Sequence, residues 1–499
     1  MSNNAIAISL LIGFTILLLL SYYFAVKKRG RRIFIAFIYI AMLIYTISQG
    51  LYYAKTMPGT SPDESAHISY IYYLNQSHEI IPTFEDMHLF SSAPMKWSVD
   101  NYWYQEDSVN YVCHPPLYYH LMRLAGGFTP TEDPAVATID KFAMRYFSMG
   151  IYIIGLILLL YIGYSRLDKA RPWLHLLYAT VVTSIPMMAY ELCGVTNDAL
   201  ALVTAALCAL GLIRFCEEKR GYLTYILIAV GITGSYLTKM TAALLCIITS
   251  LLVLVITMIM EKSLKNSLKK EFFVTIPIYL LALIYFIHIY RAYGSWQPSL
   301  EVISTPEYFH NTIYYIDPKE RVSFTTGEYF TYYFSRFFLS WSGIEAGQRF
   351  MKFSPFSKAT LPAELLWFLP ALVILPWVKN VSKKLTLPVF AGWISCIISF
   401  ILQAKSAYGT YLTRGYMGGF QSRYYLPFIF VFAFGLVFFL QSLVVANGYD
   451  PETETIVITD LSTYSRKFFR NQLIYLVALA YAFLLFYGNF PFFLMHFAQ

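Results

Sequence analysis

Charge is what this sequence has least of. Asp, Glu, Lys and Arg make up 13% of the 499 residues, against roughly 25% in an ordinary soluble domain. With 57% apolar residues, a soluble fold would leave too much hydrocarbon facing water. Cysteine is also sparse. Cys113, Cys193, Cys208, Cys216, Cys246 and Cys396 are scattered, mostly inside apolar segments, with no CxxC spacing, which excludes a disulfide framework or a zinc site. A concentrated basic face is missing as well: the formal charge of +8 is spread among many loops, so no nucleic-acid partner is expected. Membrane topology accounts for the basic residues better. No internal repeat and no separate soluble domain is visible.

Long apolar runs are abundant. Ala5 to Phe24, Ile33 to Tyr53, Tyr146 to Tyr164 and Phe428 to Val445 are each about as long as the roughly 20 residues that cross a bilayer core. The first has no preceding basic region and no small-residue cleavage site before Lys27, Lys28 and Arg29, so it reads as a span rather than a signal peptide. The pattern predicts an all-α polytopic membrane protein of about 12 transmembrane helices. They fall near 5–25, 33–54, 142–164, 173–190, 196–214, 221–237, 241–260, 272–290, 361–378, 386–403, 424–445 and 472–492.

The basic connections set the orientation. Lys27 to Arg32, Arg166 to Arg171, Arg214 to Arg220, Lys262 to Lys270, Lys379 to Lys384 and Arg466 to Arg470 all fall on one side of the alternation, which is then cytoplasmic. The termini and the long loops lie on the other side of the cell membrane. The expected organisation is two N-terminal transmembrane helices at 1–54, a first extracytoplasmic loop at 55–141, transmembrane helices over 142–290, a second large extracytoplasmic loop at 291–360, and C-terminal transmembrane helices over 361–499. A third outside loop runs over 404–423, and the acidic segment Asn447 to Thr463 reads as a cytoplasmic loop. The outside loops are rich in Tyr, Trp and Phe, so they should fold as a cap, and such loops commonly carry function.

In the first loop, Pro58-Gly59-Thr60-Ser61-Pro62-Asp63-Glu64-Ser65-Ala66-His67 reads as a helix start. Ser61 is the N-cap, Pro62 the first helical residue, and Glu64 closes a capping box. The helix should run to about Gln76. Asp63 and His67 then share one face, bringing an acid and an imidazole together at the membrane mouth. A first-turn carboxylate is also favoured by the helix dipole alone, and that reading weighs more for Glu64 than for Asp63. Tyr111-Val112-Cys113-His114-Pro115-Pro116-Leu117 presents His114 at a bend before a helix near Leu117.

These segments occur in a fixed order: PDESAH (62–67), HPPLYY (114–119), VTNDALA (195–201), YLTKMTA (236–242) and FQSRYYLP (420–427). In that order, over about residues 50–430, they resemble the bacterial multi-spanning GT-C glycosyltransferases. The chain is similar to the protein O-mannosyltransferase and aminoarabinose-transferase branch, and most similar to a bacterial family with PDE..H and HPPLYY signatures. Two spans precede the loop here where many relatives have one.

The resemblance implies a GT-C fold and inverting transfer of a sugar from a polyprenyl-phosphate carrier to an extracytoplasmic acceptor: a surface or cell-wall glycan, a glycolipid, or another hydroxyl. It implies that Asp63 is the catalytic carboxylate, with Glu64 beside it; His67, by its spacing from Asp63, and His114, by its place in the same loop, join them as candidates. Lys239, Arg423 and Arg145, at outer span ends, would hold the departing lipid phosphate, against a plainer role as cations snorkelling to headgroups. Asn197 and Asp198 either support the active-site loop or cap the fifth span, and the cap is the preferred reading. Trp97, Tyr102, Trp103, Tyr104, Trp296 and Trp341 could form a sugar-stacking platform, although packing is the plainer role for most. No cofactor is expected, and no carboxylate cluster beyond Asp63 and Glu64 calls for a metal. A transporter or flippase of a lipid-linked saccharide would share the span number, but would carry charge at mid-membrane and short outer loops. A glycan polymerase or ligase is hardly separable at this level, and a non-catalytic scaffold leaves Asp63, His67 and His114 unexplained.

Overall fold

The structure is a computed structural model that describes residues 2–56, 63–91, 100–104, 108–130, 136–263, 267–342, 361–374, 383–444 and 461–496. Ser61, Pro62, Trp97 and the acidic segment from Asn447 fall outside the described residues. So do the side chains of Tyr102, Trp103 and Tyr104.

Among the described residues, nine helices are long and apolar enough to cross a membrane, and the chain is a multi-pass membrane protein. They include α1 (Asn3–Val26) and α2 (Arg31–Thr56). The first long loop contributes α3 (Glu64–Ser77) and α4 (Leu117–Met122). Then come α5 (Lys141–Arg166), α6 (Pro172–Thr183), α7 (Pro186–Leu192), α8 (Asp198–Cys216), α9 (Tyr222–Tyr236) and α10 (Met240–Glu261). After α11 (Lys270–Val274) and α12 (Ile276–Tyr293), the second loop holds α13 (Leu300–Ile303), α14 (Pro306–His310) and α15 (Thr326–Ser342). The chain closes with α16 (Lys383–Arg414), α17 (Ile429–Leu443), α18 (Leu461–Tyr487) and α19 (Phe490–His496).

Three expected spans take other forms. The segment 173–190 is two helices, because Pro186 has no N–H to continue the ladder and starts a new helix after Ser184 and Ile185. The segment 221–237 forms α9, apolar but only 15 residues long. Within 361–378 the described residues include 3₁₀ turns at Leu365–Trp367 and Leu369–Ile374.

A small antiparallel sheet in the first loop was not legible as strand. Its strands β1 (Phe90–Ser91), β2 (Asp100–Tyr104), β3 (Phe128–Pro130) and β4 (Val136–Ile139) lie in the order β1-β2-β4-β3. Asp100 pairs with Ile139 and Tyr102 with Ala137. Segments this short carry no clear period-two pattern.

The buried centre is α8, packed on α5, α9 and α10. Close approach is made possible by glycine: a Cβ on Gly231 would lie 2.5 Å from the Cys208 amide nitrogen, and one on Gly155 would lie 2.9 Å from that of Val203. Small residues at such crossings gain van der Waals contact where no water-driven force acts between helices. At the periphery the chain shows apolar side chains outward, with Ile8, Ile12, Ile16 and Leu19 on α1 and Leu280, Leu281, Leu283 and Ile284 on α12. Hydrocarbon is the solvent that suits them.

Candidate active site

The site is built where α3 meets the ends of α2, α5 and α8. Its foundation is Glu64. This carboxylate is fully buried and takes two bonds from Arg145, Nε at 2.7 Å and Nη2 at 2.5 Å. Its Oε1 also accepts from the Val195 amide at 3.0 Å, while Arg145 Nη1 donates to the Ala54 carbonyl at 3.0 Å. One ion pair thus pins α2, α3, α5 and the turn before α8.

Asp63 faces the other way. The helix begins at Glu64, later than the sequence reading placed it, and Asp63 precedes it in the left-handed conformation with φ 61°. Asp is among the few residues that tolerate this geometry. The consequence is a division between neighbours: Glu64 turns into the protein and Asp63 turns into a cavity of about 190 Å³. That cavity is also lined by His67, His114, Asp198, Lys239 and Arg423. Neither Glu64 nor Arg145 lines it. Five of the seven expected site residues are therefore brought together, and two form the pin behind them.

Asp63 accepts from Tyr111 Oη at 2.9 Å on Oδ1 and from Arg423 Nη2 at 3.1 Å on Oδ2. Its side chain remains 38% exposed, open to a ligand. Burial pushes its carboxyl up, but Arg423, His67 and the Tyr111 hydroxyl together outweigh that and hold it below the ordinary aspartate value. The Tyr111 phenol is raised, first by burial and then by Asp63, so it stays protonated and donates.

His67 lies one turn further along α3, its amide bonded to the Asp63 carbonyl at 2.9 Å and its Nδ1 2.8 Å from Tyr119 Oη. The rings of His67 and His114 lie nearly parallel, 6.1 Å apart. Burial first and the neighbouring His114 second push His67 down to about 3; burial and Lys239 push His114 down to about 4. Both are neutral at physiological pH and serve as dipoles and hydrogen-bonding groups rather than charges.

This carries a stability consequence. Below about pH 6.5 the unfolded chain takes a proton on His67, whereas the folded chain does not until about pH 3, so acid favours unfolding. The slope from this group is at most about 1.4 kcal/mol per pH unit. The apparent Tm in detergent is expected to fall between pH 6.5 and 5, and His67→Asn to lessen that fall. An identical pH dependence in the variant would mean that His67 is charged in the fold.

The two cations are already partnered. Lys239 Nζ donates to Asp198 Oδ2 at 2.5 Å and sits 4.8 Å from the centre of the Tyr424 ring. Arg423 is shared, with Nη2 on Asp63 and Nη1 on Glu191 Oε1 at 3.2 Å. Asp198 is thus a partner of Lys239 and makes no cap bond; Asn197, in the N-cap position, bonds the Thr238 carbonyl with its side chain instead. Among the described residues, Arg423 Nε, Asp198 Oδ1, Asn197 Oδ1 and Glu191 Oε2 have no hydrogen-bond partner. Four such buried atoms at one place suit a site that takes a polar ligand.

Sequence reasoning missed Glu191 altogether. Its signal was there: a lone carboxylate in the apolar run from Ser184 to Val195, the kind of group that is functional by default inside a membrane. Of the aromatic residues, Trp341 is fully buried and bonds the Ala363 carbonyl, so it is core. Trp296 stacks on Tyr290, half exposed, and lines none of the three cavities at this end of the molecule.

Two further cavities adjoin the polar one. A mostly apolar cavity of about 300 Å³ runs between α10 and α16, lined by Leu244, Leu245, Leu402 and Ala407, and shares Thr241 and Tyr424 with the polar cavity. A third, of about 340 Å³, shares Gln297 with the polar cavity and is walled by Tyr111, Tyr314 and Tyr416.

No family model matches the chain, and no curated protein matches it. Among solved structures, the crystal structure of ArnT from Cupriavidus metallidurans in the apo state matches with a TM-score of 0.43 and 11% sequence identity, covering 92% of this chain and 77% of that one. A likeness that shallow assigns neither family, activity nor substrate.

Proposed function

We propose that this chain is an inverting glycosyltransferase of the GT-C type, moving a sugar from a polyprenyl-phosphate carrier to a hydroxyl acceptor on the extracytoplasmic face. The observation that carries the reading is the polar cavity itself, where a partly open carboxylate, Asp63, stands beside two buried cations, Lys239 and Arg423, next to an apolar cavity between two helices. An anionic head on a hydrocarbon tail fits that pairing.

In the proposed reaction the Asp63 carboxylate orients the acceptor hydroxyl and takes its proton. The hydroxyl oxygen bonds the anomeric carbon from the face opposite the leaving group. The bond from that carbon to the phosphate oxygen breaks, and its electron pair leaves on the lipid phosphate, held by Arg423 and Lys239. A single displacement inverts the anomeric centre. Phosphate is a good leaving group, so a weak base placed within reach is sufficient. Thr241 and Tyr424, common to both cavities, would stand where head and tail join.

The test is mass spectrometry of lipid-linked sugars and surface glycans in cells with and without the chain. The expected result is a polyprenyl-phosphate sugar that accumulates, and one glycan residue that disappears, when the chain is removed. A carrier trapped on the cytoplasmic face, with the same glycan loss, would instead identify a flippase.

A further inference from the structure

The cavity beside Tyr111 has no part in the donor chemistry above. It is walled by three stretches far apart in sequence: Tyr111 from the first loop, Gln297 to Tyr314 from the second, and Thr410 to Tyr416 from the end of α16 onward. The Ile316 amide donates to the Arg414 carbonyl at 2.9 Å, closing the second stretch on the third. Tyr111, Tyr314 and Tyr416 form a ladder of tilted rungs, with ring centres 5.4 Å and 5.3 Å apart and ring planes at 52° and 61° to one another. The first rung is the residue whose hydroxyl bonds Asp63.

We propose that this cavity is the acceptor subsite and takes a saccharide ring laid against the tyrosine ladder, so that the attacking group is a sugar hydroxyl. The inference rests on the transferase reading and adds the acceptor's chemical class. A sugar ring has an apolar C–H face that suits the negative face of an aromatic ring, and equatorial hydroxyls that need polar partners. The cavity offers both, with three phenols, Gln297, Ser299 and Thr410 around it.

Its one charged lining residue is Arg414, which pairs with Glu301 and lies 5.3 Å from the centre of the Phe309 ring. Apart from that one cation the lining is phenols, hydroxyls, an amide and apolar side chains, which favours a neutral ring over a phosphate or an acidic peptide. The hydrocarbon of the donor has the cavity between α10 and α16, which meets this one only along Thr410 and Tyr416. Gln297 Nε2 lies 3.3 Å from His114 Nδ1, so one side chain touches both the subsite and the reaction cavity. A ring on the ladder would present a hydroxyl towards Asp63 past Tyr111.

The test uses the full chain, comparing Tyr314→Ala with Tyr314→Phe. Glycan transfer is read by mass spectrometry in cells, and donor-head binding by thermal protection of the purified protein with undecaprenyl phosphate. Tyr314→Ala is expected to lower transfer about tenfold or more, the loss of some 1.4 kcal/mol of acceptor binding, with protection by undecaprenyl phosphate unchanged. Tyr314→Phe, which keeps the ring, should retain most transfer. Tyr314→Leu, which fills the space without an aromatic face, supplies the same comparison if Tyr314→Ala does not accumulate.

Unchanged transfer in the Tyr314 variants that lack a ring, equal loss in Tyr314→Phe, or loss of lipid protection alongside transfer would each overturn the assignment. An Asp63→Asn control separates the two readings. If it keeps full transfer, the catalytic assignment falls and takes the subsite's role with it. If it is inactive while Tyr314→Ala is normal, only the subsite falls.

Discussion

Asp63→Asn is expected to give a folded protein that still binds undecaprenyl phosphate but transfers sugar about 10² to 10⁴ times more slowly, the usual scale for a positioned general base. Asn is the substitution to use because residue 63 is left-handed, φ 61°, and Asn tolerates that region whereas Ala does not. The side-chain oxygen can still accept from Tyr111 or Arg423, as the carboxylate does. What disappears is proton affinity. Mass spectrometry of surface glycans, normalised to the amount of protein in the membrane, reads the effect. Full glycosylation by a well-expressed Asp63→Asn would take the catalytic role away from this residue.

Glu64→Ala should fail for a different reason. It strands the Arg145 guanidinium, 3% exposed, without its counter-ion, and breaking a buried pair from one side costs about 3–5 kcal/mol. Typical folds hold only about 5–15 kcal/mol in total, so the variant should lose most of its accumulation in the membrane, read by size-exclusion chromatography from solubilised cells. Replacing both partners, Glu64→Met with Arg145→Met, removes the stranded charge and should recover part of that yield. If Glu64→Ala accumulated normally but transferred nothing, Glu64 would belong to the reaction and not to the frame.

The comparison of Asp63 with Glu64 marks the limit of what spacing can tell. Asp63 and His67 do line one cavity, although Asp63 stands outside the helix that the spacing argument assumed, and the apolar runs were enough to put Lys239 and Arg423 at the ends of segments. Spacing leaned towards Asp63, but it could not show which of two adjacent carboxylates faces the cavity and which is buried against a cation. That depends on a backbone twist at residue 63 and on Arg145, 81 positions away.

Asp198 was misread for a related reason. A carboxylate at a helix start looks like a cap until Lys239 comes within 2.5 Å across the fold. The broken helix at Pro186 and the short sheet were missed because composition reports apolarity well and local geometry poorly. The long spans were legible because hydrocarbon thickness sets their length.

Arg423 is claimed twice, by Asp63 and by Glu191, so the site carries its own counter-ions. On the transferase reading, a lipid phosphate arrives by ion exchange, taking a cation that a carboxylate gives up. The same exchange runs backwards once the sugar has gone. A carboxylate returning to Arg423 competes with the spent phosphate for its last strong partner, and the site thereby helps to clear itself for the next carrier.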